Sequence, residues 1–273
     1  MRSGRVCRVL ASSMVVIALS CAPAVAQQAQ TQAKPYEPSV GQEGKDVVWV
    51  PTPDTLVNKM LDMAGTTAKD FVIDLGSGDG RTVIAAAKRG ARAMGIEYNP
   101  EMVELSKRRA AQAGVGDKAT FVKADLFETD LSKATVITMF LLPSINLQLR
   151  PKLLDLKPGT RIVSNTFTME DWEADETAHV TDGCTGSWCT ALFWVVPAKV
   201  EGTWDTPQGN LTLTQQFQKV TGTLGGTPVS GRVRGEEITL EAGKARYTGH
   251  VNGKTIQGTV TGGAGGTFTA TRK

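Results

Sequence analysis

The sequence predicts an α/β fold, a mostly parallel sheet with helices on both faces, followed by a smaller module built only of strands. Three observations carry this. Between residues 71 and 167, apolar β-prone runs alternate with segments of helical periodicity, the pattern of a sheet assembled from crossover units. At residues 71–81 an apolar run meets three glycines spaced by two, Gly76, Gly78 and Gly80, and then a helix-forming stretch, which is the layout of a nucleotide-binding turn. Beyond residue 198 the composition changes: residues 199–273 hold 15 of the 29 glycines, many threonines and short alternating runs, which indicates a small antiparallel sandwich or barrel.

In chain order, residues 1–26 predict a signal peptide. Arg2, Arg5 and Arg8 precede an apolar run over residues 9–19, and Ala24-Val25-Ala26 is a small-x-small cleavage pattern, so export to a bacterial periplasm or the medium is expected, with cleavage after Ala26. A lipoprotein at Cys21 and an organelle transit peptide are minor alternatives. The run is too short to span a bilayer and no later segment approaches one, so no transmembrane span is expected in the mature chain. Those three arginines also account for the formal charge of +3: without them the 30 basic residues become 27, against 27 acidic. No basic face announces nucleic acid, and no nucleic-acid partner is expected.

Residues 27–46, polar and rich in glutamine, read as a linker. Residues 47–50 are β-prone. Thr52-Pro53-Asp54 predicts a helix start with the Thr52 hydroxyl as cap, closed at Gly65. After the glycine turn come a helix over 82–89, a strand over 91–97, a helix over 100–113, strands over 119–124 and 134–140, a helix over 144–156 and a strand over 160–167. Residues 178–182 and 190–196 face each other as a hairpin. Cys184 and Cys189, the only cysteines after residue 26, sit at its neck as a disulfide or as two thiols. The two histidines, His179 and His250, supply no spaced ligand cluster, and no metal is expected. The domains are thus 47–198 and 199–273. Residues 27–198 carry 18 basic and 22 acidic residues and residues 199–273 carry 9 and 5, an asymmetry that favours either docking of the two parts or contact with an anionic envelope surface.

The chemistry is read from the carboxylates. A pyrophosphate would be repelled by Asp74 and Asp79 around the glycine turn, whereas S-adenosylmethionine presents an ammonium and a sulfonium. The expected cofactor is therefore S-adenosylmethionine. Glu97 ends the second strand, where an acid can accept both ribose hydroxyls. Asp125 closes the third strand, where it could meet the adenine amino group, with Leu126 and Phe127 against the ring, or cap a helix before Thr129.

These residues, with Val50-Pro51-Thr52, Gly95 to Asn99, Phe140-Leu141-Leu142-Pro143-Ser144 and Arg161-Ile162-Val163-Ser164, make residues 47–197 resemble the class I S-adenosylmethionine-dependent methyltransferases. Within them the chain looks closest to the protein-lysine methyltransferases typified by the ATP synthase c-subunit enzyme. The resemblance implies a sheet of order 3-2-1-4-5-7-6 with the last strand antiparallel. It implies that Asp74, Gly76, Gly78 and Asp79 hold the methionine end of the cofactor, Glu97 the ribose, and Asp125 with Leu126 the adenine, with Ser77, Gly80 and Tyr98 also expected in the cofactor site. Phe140-Leu141-Leu142-Pro143 departs from the Asn/Asp-Pro-Pro-aromatic pattern used on nucleobases and glutamine, and leaves an apolar wall suited to a lysine stem. An apolar pocket lowers a lysine pKa, so no dedicated base is required. Trp49, Thr52, Phe140, Pro143 and Trp172 are the pocket candidates. Two other functions stay open: an exported, non-catalytic binding or scaffolding module that keeps the fold, and a small-molecule methyltransferase.

Overall fold

The computed structural model describes Met1, Gly4, residues 35–263 and residues 265–273. Apart from Met1 and Gly4, the expected signal peptide lies outside those residues, as do residues 27–34 of the expected linker. Among the described residues no helix is long and apolar enough to cross a membrane.

The first layer begins with α1 (Asp54–Met63) and proceeds through β1 (Phe71–Leu75), α2 (Arg81–Lys88), β2 (Arg92–Glu97), α3 (Pro100–Gln112), β3 (Ala119–Lys123), β4 (Val136–Met139), α4 (Pro143–Leu154) and β5 (Arg161–Asn165). A hairpin of β6 (Glu176–His179) and β7 (Thr190–Val195) completes a seven-stranded sheet of order β3-β2-β1-β4-β5-β7-β6. The first five strands are parallel, while β7 is antiparallel to both β5 and β6. The implied order and the antiparallel return are therefore what the chain builds. β1 and β4, central and covered on both faces, are almost wholly buried, as continuous apolar runs in a parallel sheet must be.

One expected detail differs. Pro53, not Thr52, occupies the N-cap of α1, and no side chain caps that end. The Thr52 hydroxyl instead accepts a 3.3 Å hydrogen bond from buried Asn165 at the end of β5, and the Thr52 carbonyl accepts from Arg81. Tertiary partners took the residue that local capping rules had claimed.

Residues 202–272 form a closed eight-stranded antiparallel barrel from β8 (Gly202–Thr206) through β9 (Gly209–Gln216), β10 (Lys219–Leu224), β11 (Thr227–Arg234), β12 (Glu237–Ala242), β13 (Ala245–Asn252) and β14 (Thr255–Thr261) to β15 (Gly266–Arg272). Closure leaves no unpaired strand in it. Its interior is filled by its own apolar side chains, among them Trp204, Leu213, Val233, Ile256 and Phe268.

Barrel and sheet are locked together beside β6. Arg232 pairs with Asp175, Arg234 with Glu176 and Lys219 with Glu173, so three barrel cations meet acids of the sheet layer, and Lys199, just before the barrel, pairs with Asp155. The charge asymmetry of the two halves is used in docking. At the centre of the contact Phe217, in the β9–β10 turn with φ 53°, stacks on Trp172 at 6.0 Å, and the Arg150 guanidinium covers Phe217 at 5.1 Å. A non-glycine residue holds that backbone conformation only where surrounding contacts impose it.

Candidate active site

The C-terminal ends of β1, β2, β4 and β5 open into a cavity of about 440 Å³, a volume ordinary for a small-molecule site. Its floor is the β1–α2 turn. Gly78, with φ 53°, lies under the Trp49 indole, whose Nε1 stands 2.6 Å from where a Cβ would be. Any side chain there would collide with Trp49 and be strained besides. Gly80 serves a different purpose from the one expected. It is the left-handed N-cap of α2, and a Cβ would meet Ser106 and Phe121 at 2.8 Å; it packs the helix onto its neighbours and does not line the cavity. The Ser77 hydroxyl is likewise turned under the turn against Gly95, without a hydrogen-bond partner, so Ser77 offers the cavity chiefly backbone.

The carboxylates divide by environment. Asp74 is buried, lines the cavity and accepts a 2.6 Å hydrogen bond from Thr138 on β4. Burial pushes its carboxyl up to about 7; Thr138 opposes this, and the like charges of Glu97 and Asp79 add to it. Asp79 is equally buried but fully paired: Arg81 binds it through Nε and Nη2, and Arg109 through Nη1. Against the opposing effect of burial, these guanidiniums hold the Asp79 carboxyl below the usual carboxylate range. Asp79 therefore brings no free charge to the cavity. Glu97 accepts from the backbone N–H of Gly78 on one oxygen and of Asn99 on the other, both at 2.9 Å, which fixes its carboxylate at the end of β2. Each oxygen keeps a lone pair for a hydroxyl.

Asp125 lines the cavity, caps a turn and carries an ion pair that its position did not suggest. One oxygen accepts from the N–H of Phe127, capping a turn over residues 125–129 where a helix start was the alternative. The other pairs with Lys45 at 2.6 Å, and that ammonium also sits 4.8 Å from the Tyr98 ring centre. The Lys45 pair is the largest influence that draws the Asp125 carboxyl below its usual range.

Lys45 belongs to the stretch expected to be a linker, and this is the main correction. Residues 42–52 form one wall of the cavity. A Glu43–Val48 bridge turns the chain at Gly44, Gln42 bonds Tyr36, Glu37 pairs with Arg109, and Arg108 holds the Tyr36 carbonyl. The glutamines suggested solvent; the pairing partners, 72 residues and more downstream, carry no local signal.

The other end of the cavity is apolar. Met139, the last residue of β4, and Phe140, Leu141, Leu142 and Ile145 after it line the cavity with Phe167, after β5. Phe140 and Phe167 stack at 5.8 Å. Phe167 follows Thr166, which has φ 59°, and its carbonyl accepts from Ser164 and from buried Asn146. Trp188, which sequence reasoning did not single out, reaches it from the β6–β7 loop. Two expected pocket residues do not. Pro143 is the first residue of α4 and lies off the wall. Trp172 is fully buried between Trp194 and Phe217, where it joins sheet to barrel.

A sheet of this order with an acid-bearing glycine turn and acids at the ends of β2 and β3 defines a class I methyltransferase. The comparisons with known proteins specify it further. Residues 74–176 match the ANTKMT methyltransferase domain. A protein-lysine N-methyltransferase from Saccharolobus islandicus is 45% identical over 140 residues, covering 50% of this chain and 87% of that one. The ATP synthase c-subunit lysine N-methyltransferase of Rattus norvegicus is 31% identical, covering 62% and 72%. The crystal structure of an RNA methyltransferase from Salinibacter ruber in complex with S-adenosyl-L-homocysteine aligns at 44% identity with a TM-score of 0.52, over 55% of this chain and 96% of that one. The chain belongs to this family of S-adenosylmethionine-dependent methyltransferases.

Proposed function

We propose that this enzyme methylates the side-chain amine of a protein lysine. The observation that carries the proposal is the apolar lining after β4 and β5, where Phe140, Leu141, Leu142 and Phe167 offer a wall for an alkyl stem. The lysine-methylating relatives support it. S-adenosylmethionine supplies a methyl group on a sulfonium, transferred by in-line displacement. The chain's own residues bind, orient and dry the site. Asp74 would hold the ammonium of the methionine end beside the Gly76 and Gly78 backbone, Glu97 would accept from the ribose hydroxyls, and Asp125 with Leu126 and Tyr98 would meet the adenine. Each Asp125 oxygen already accepts one hydrogen bond, from Phe127 or from Lys45, and keeps a lone pair for the adenine amino group. Asp79 keeps the turn in shape through its arginines. At the apolar end desolvation favours the neutral amine, and alignment does the rest.

Labelled methyl transfer from S-adenosylmethionine to a mixture of lysine-bearing peptides is expected, with the label recovered as methyllysine after hydrolysis. Label found on RNA or on a metabolite alone would overturn the lysine acceptor.

Export is part of the proposal. The Cys184–Cys189 disulfide supports it, because such bonds persist in oxidising compartments. N-terminal sequencing of the mature protein is expected to begin at Gln27; a mature chain starting at Met1 would refute it.

A further inference from the structure

Two rings of the apolar wall are fixed by the sheet itself. Phe140 follows β4, and Phe167 follows β5 with its carbonyl clamped by Ser164 and Asn146. The third, Trp188, is presented differently. It stands on the loop between β6 and β7, 43% exposed, and meets the Phe140 ring edge-on at 6.0 Å while lining the cavity. Its neighbours Thr185, Gly186 and Ser187 are exposed. What restricts the loop is its base. Cys184 and Cys189 are buried and joined by a disulfide that encloses the four residues 185–188, and Gly183 rests against Thr55 of α1. Val48, Tyr98 and Leu142 are the other exposed large apolar residues that line the cavity among the described residues.

We infer that Trp188 is a specificity-determining residue of the acceptor entrance, and that the Cys184–Cys189 disulfide is the device that positions it. The inference rests on the lysine acceptor proposed above. An indole is the best aromatic face for a cation and covers an alkyl stem at small entropic cost. With Phe140 and Phe167 it forms a three-sided aromatic wall, against which an incoming lysine lays its stem before the amine is desolvated. Closing a short loop removes most of the conformations in which Trp188 would swing away. A dithiol opens the device by exchange: the reductant becomes a disulfide, Cys184 and Cys189 each become a thiol, and the ring is released from the wall.

The test uses the full chain and one probe, an amidated pentapeptide with a single lysine between leucines. Its binding is measured by calorimetry in the presence of S-adenosyl-L-homocysteine, and its methylation by steady-state kinetics. Trp188→Ala is expected to weaken peptide binding and raise KM roughly tenfold, with kcat within about twofold and S-adenosyl-L-homocysteine affinity unchanged. Trp188→Phe is expected to recover most of the loss. The Cys184→Ser/Cys189→Ser variant and dithiol-treated wild type are expected to move the same way, by roughly threefold. Unchanged peptide affinity in Trp188→Ala, or a parallel loss of S-adenosyl-L-homocysteine affinity, would overturn the role of Trp188. Unchanged peptide affinity in the cysteine variant would overturn that of the disulfide. Wild type that binds S-adenosyl-L-homocysteine but neither binds nor methylates the peptide would refute the lysine acceptor, and this inference with it.

Discussion

Asp74→Asn is expected to weaken S-adenosylmethionine binding about a hundredfold and to leave the fold intact, because it removes a charge-assisted contact of about 2–3 kcal/mol while keeping an acceptor for Thr138. The pH dependence identifies the cause. In the free enzyme the Asp74 carboxyl titrates at about 7. A bound ammonium favours the ionised form, so the carboxyl must give up its proton on binding whenever the pH lies below that value. Affinity is therefore greatest above pH 7 and falls as the pH drops through it, by at least about tenfold between pH 7.5 and 5.5. Calorimetry of wild type is expected to show that slope, and Asp74→Asn to show almost none. An asparagine variant that binds within twofold of wild type, or keeps its slope, would remove Asp74 from the cofactor contact.

Trp172→Ala is the substitution expected to cost most stability. The ring is fully buried, 6.2 Å from Trp194 and 6.0 Å from Phe217, and truncation there removes about 3–5 kcal/mol. Phe217 would lose the ring that rewards its left-handed backbone, so the barrel contact should loosen as well. Thermal denaturation is expected to shift down by about 10 °C, and limited proteolysis to gain a cut between sheet and barrel at residues 196–201. Cofactor affinity should stay within a few fold, since Trp172 does not line the cavity. A shift under about 2 °C, or a lost cofactor site with normal stability, would refute this role for the ring.

The parts of this protein legible from sequence are those written in local patterns. Strand and helix periodicity gave the sheet, and the glycine turn with Asp74, Glu97 and Asp125 marked the cofactor end, because each acid lies at or just beyond a strand whose end is fixed by the fold. What escaped was decided by distant partners. Trp172 and Trp188 are both tryptophans in irregular segments, and nothing nearby says that the first faces Phe217 and the second Phe140. Residues 36–46 looked like solvent-loving linker because their anchors, Asp125, Arg108 and Arg109, lie on other elements. Gly80 was grouped with Gly76 and Gly78 by spacing alone, although it is contact with Ser106 and Phe121 that demands it.

The place where the barrel attaches has a consequence for how this molecule behaves among its copies. β6 is an outer strand of the seven-stranded sheet, and an outer strand presents unpaired backbone groups onto which another chain can polymerise. Here that strand is only four residues long. Its first residue, Glu176, and the preceding Asp175 are tied up by barrel arginines, and beyond its far end the chain runs into the disulfide-closed loop. An approaching strand would find no uninterrupted length on which to zip. The module fused after the methyltransferase fold thus crowds the start of this outer strand, while the opposite outer strand, β3, lies away from these barrel ion pairs.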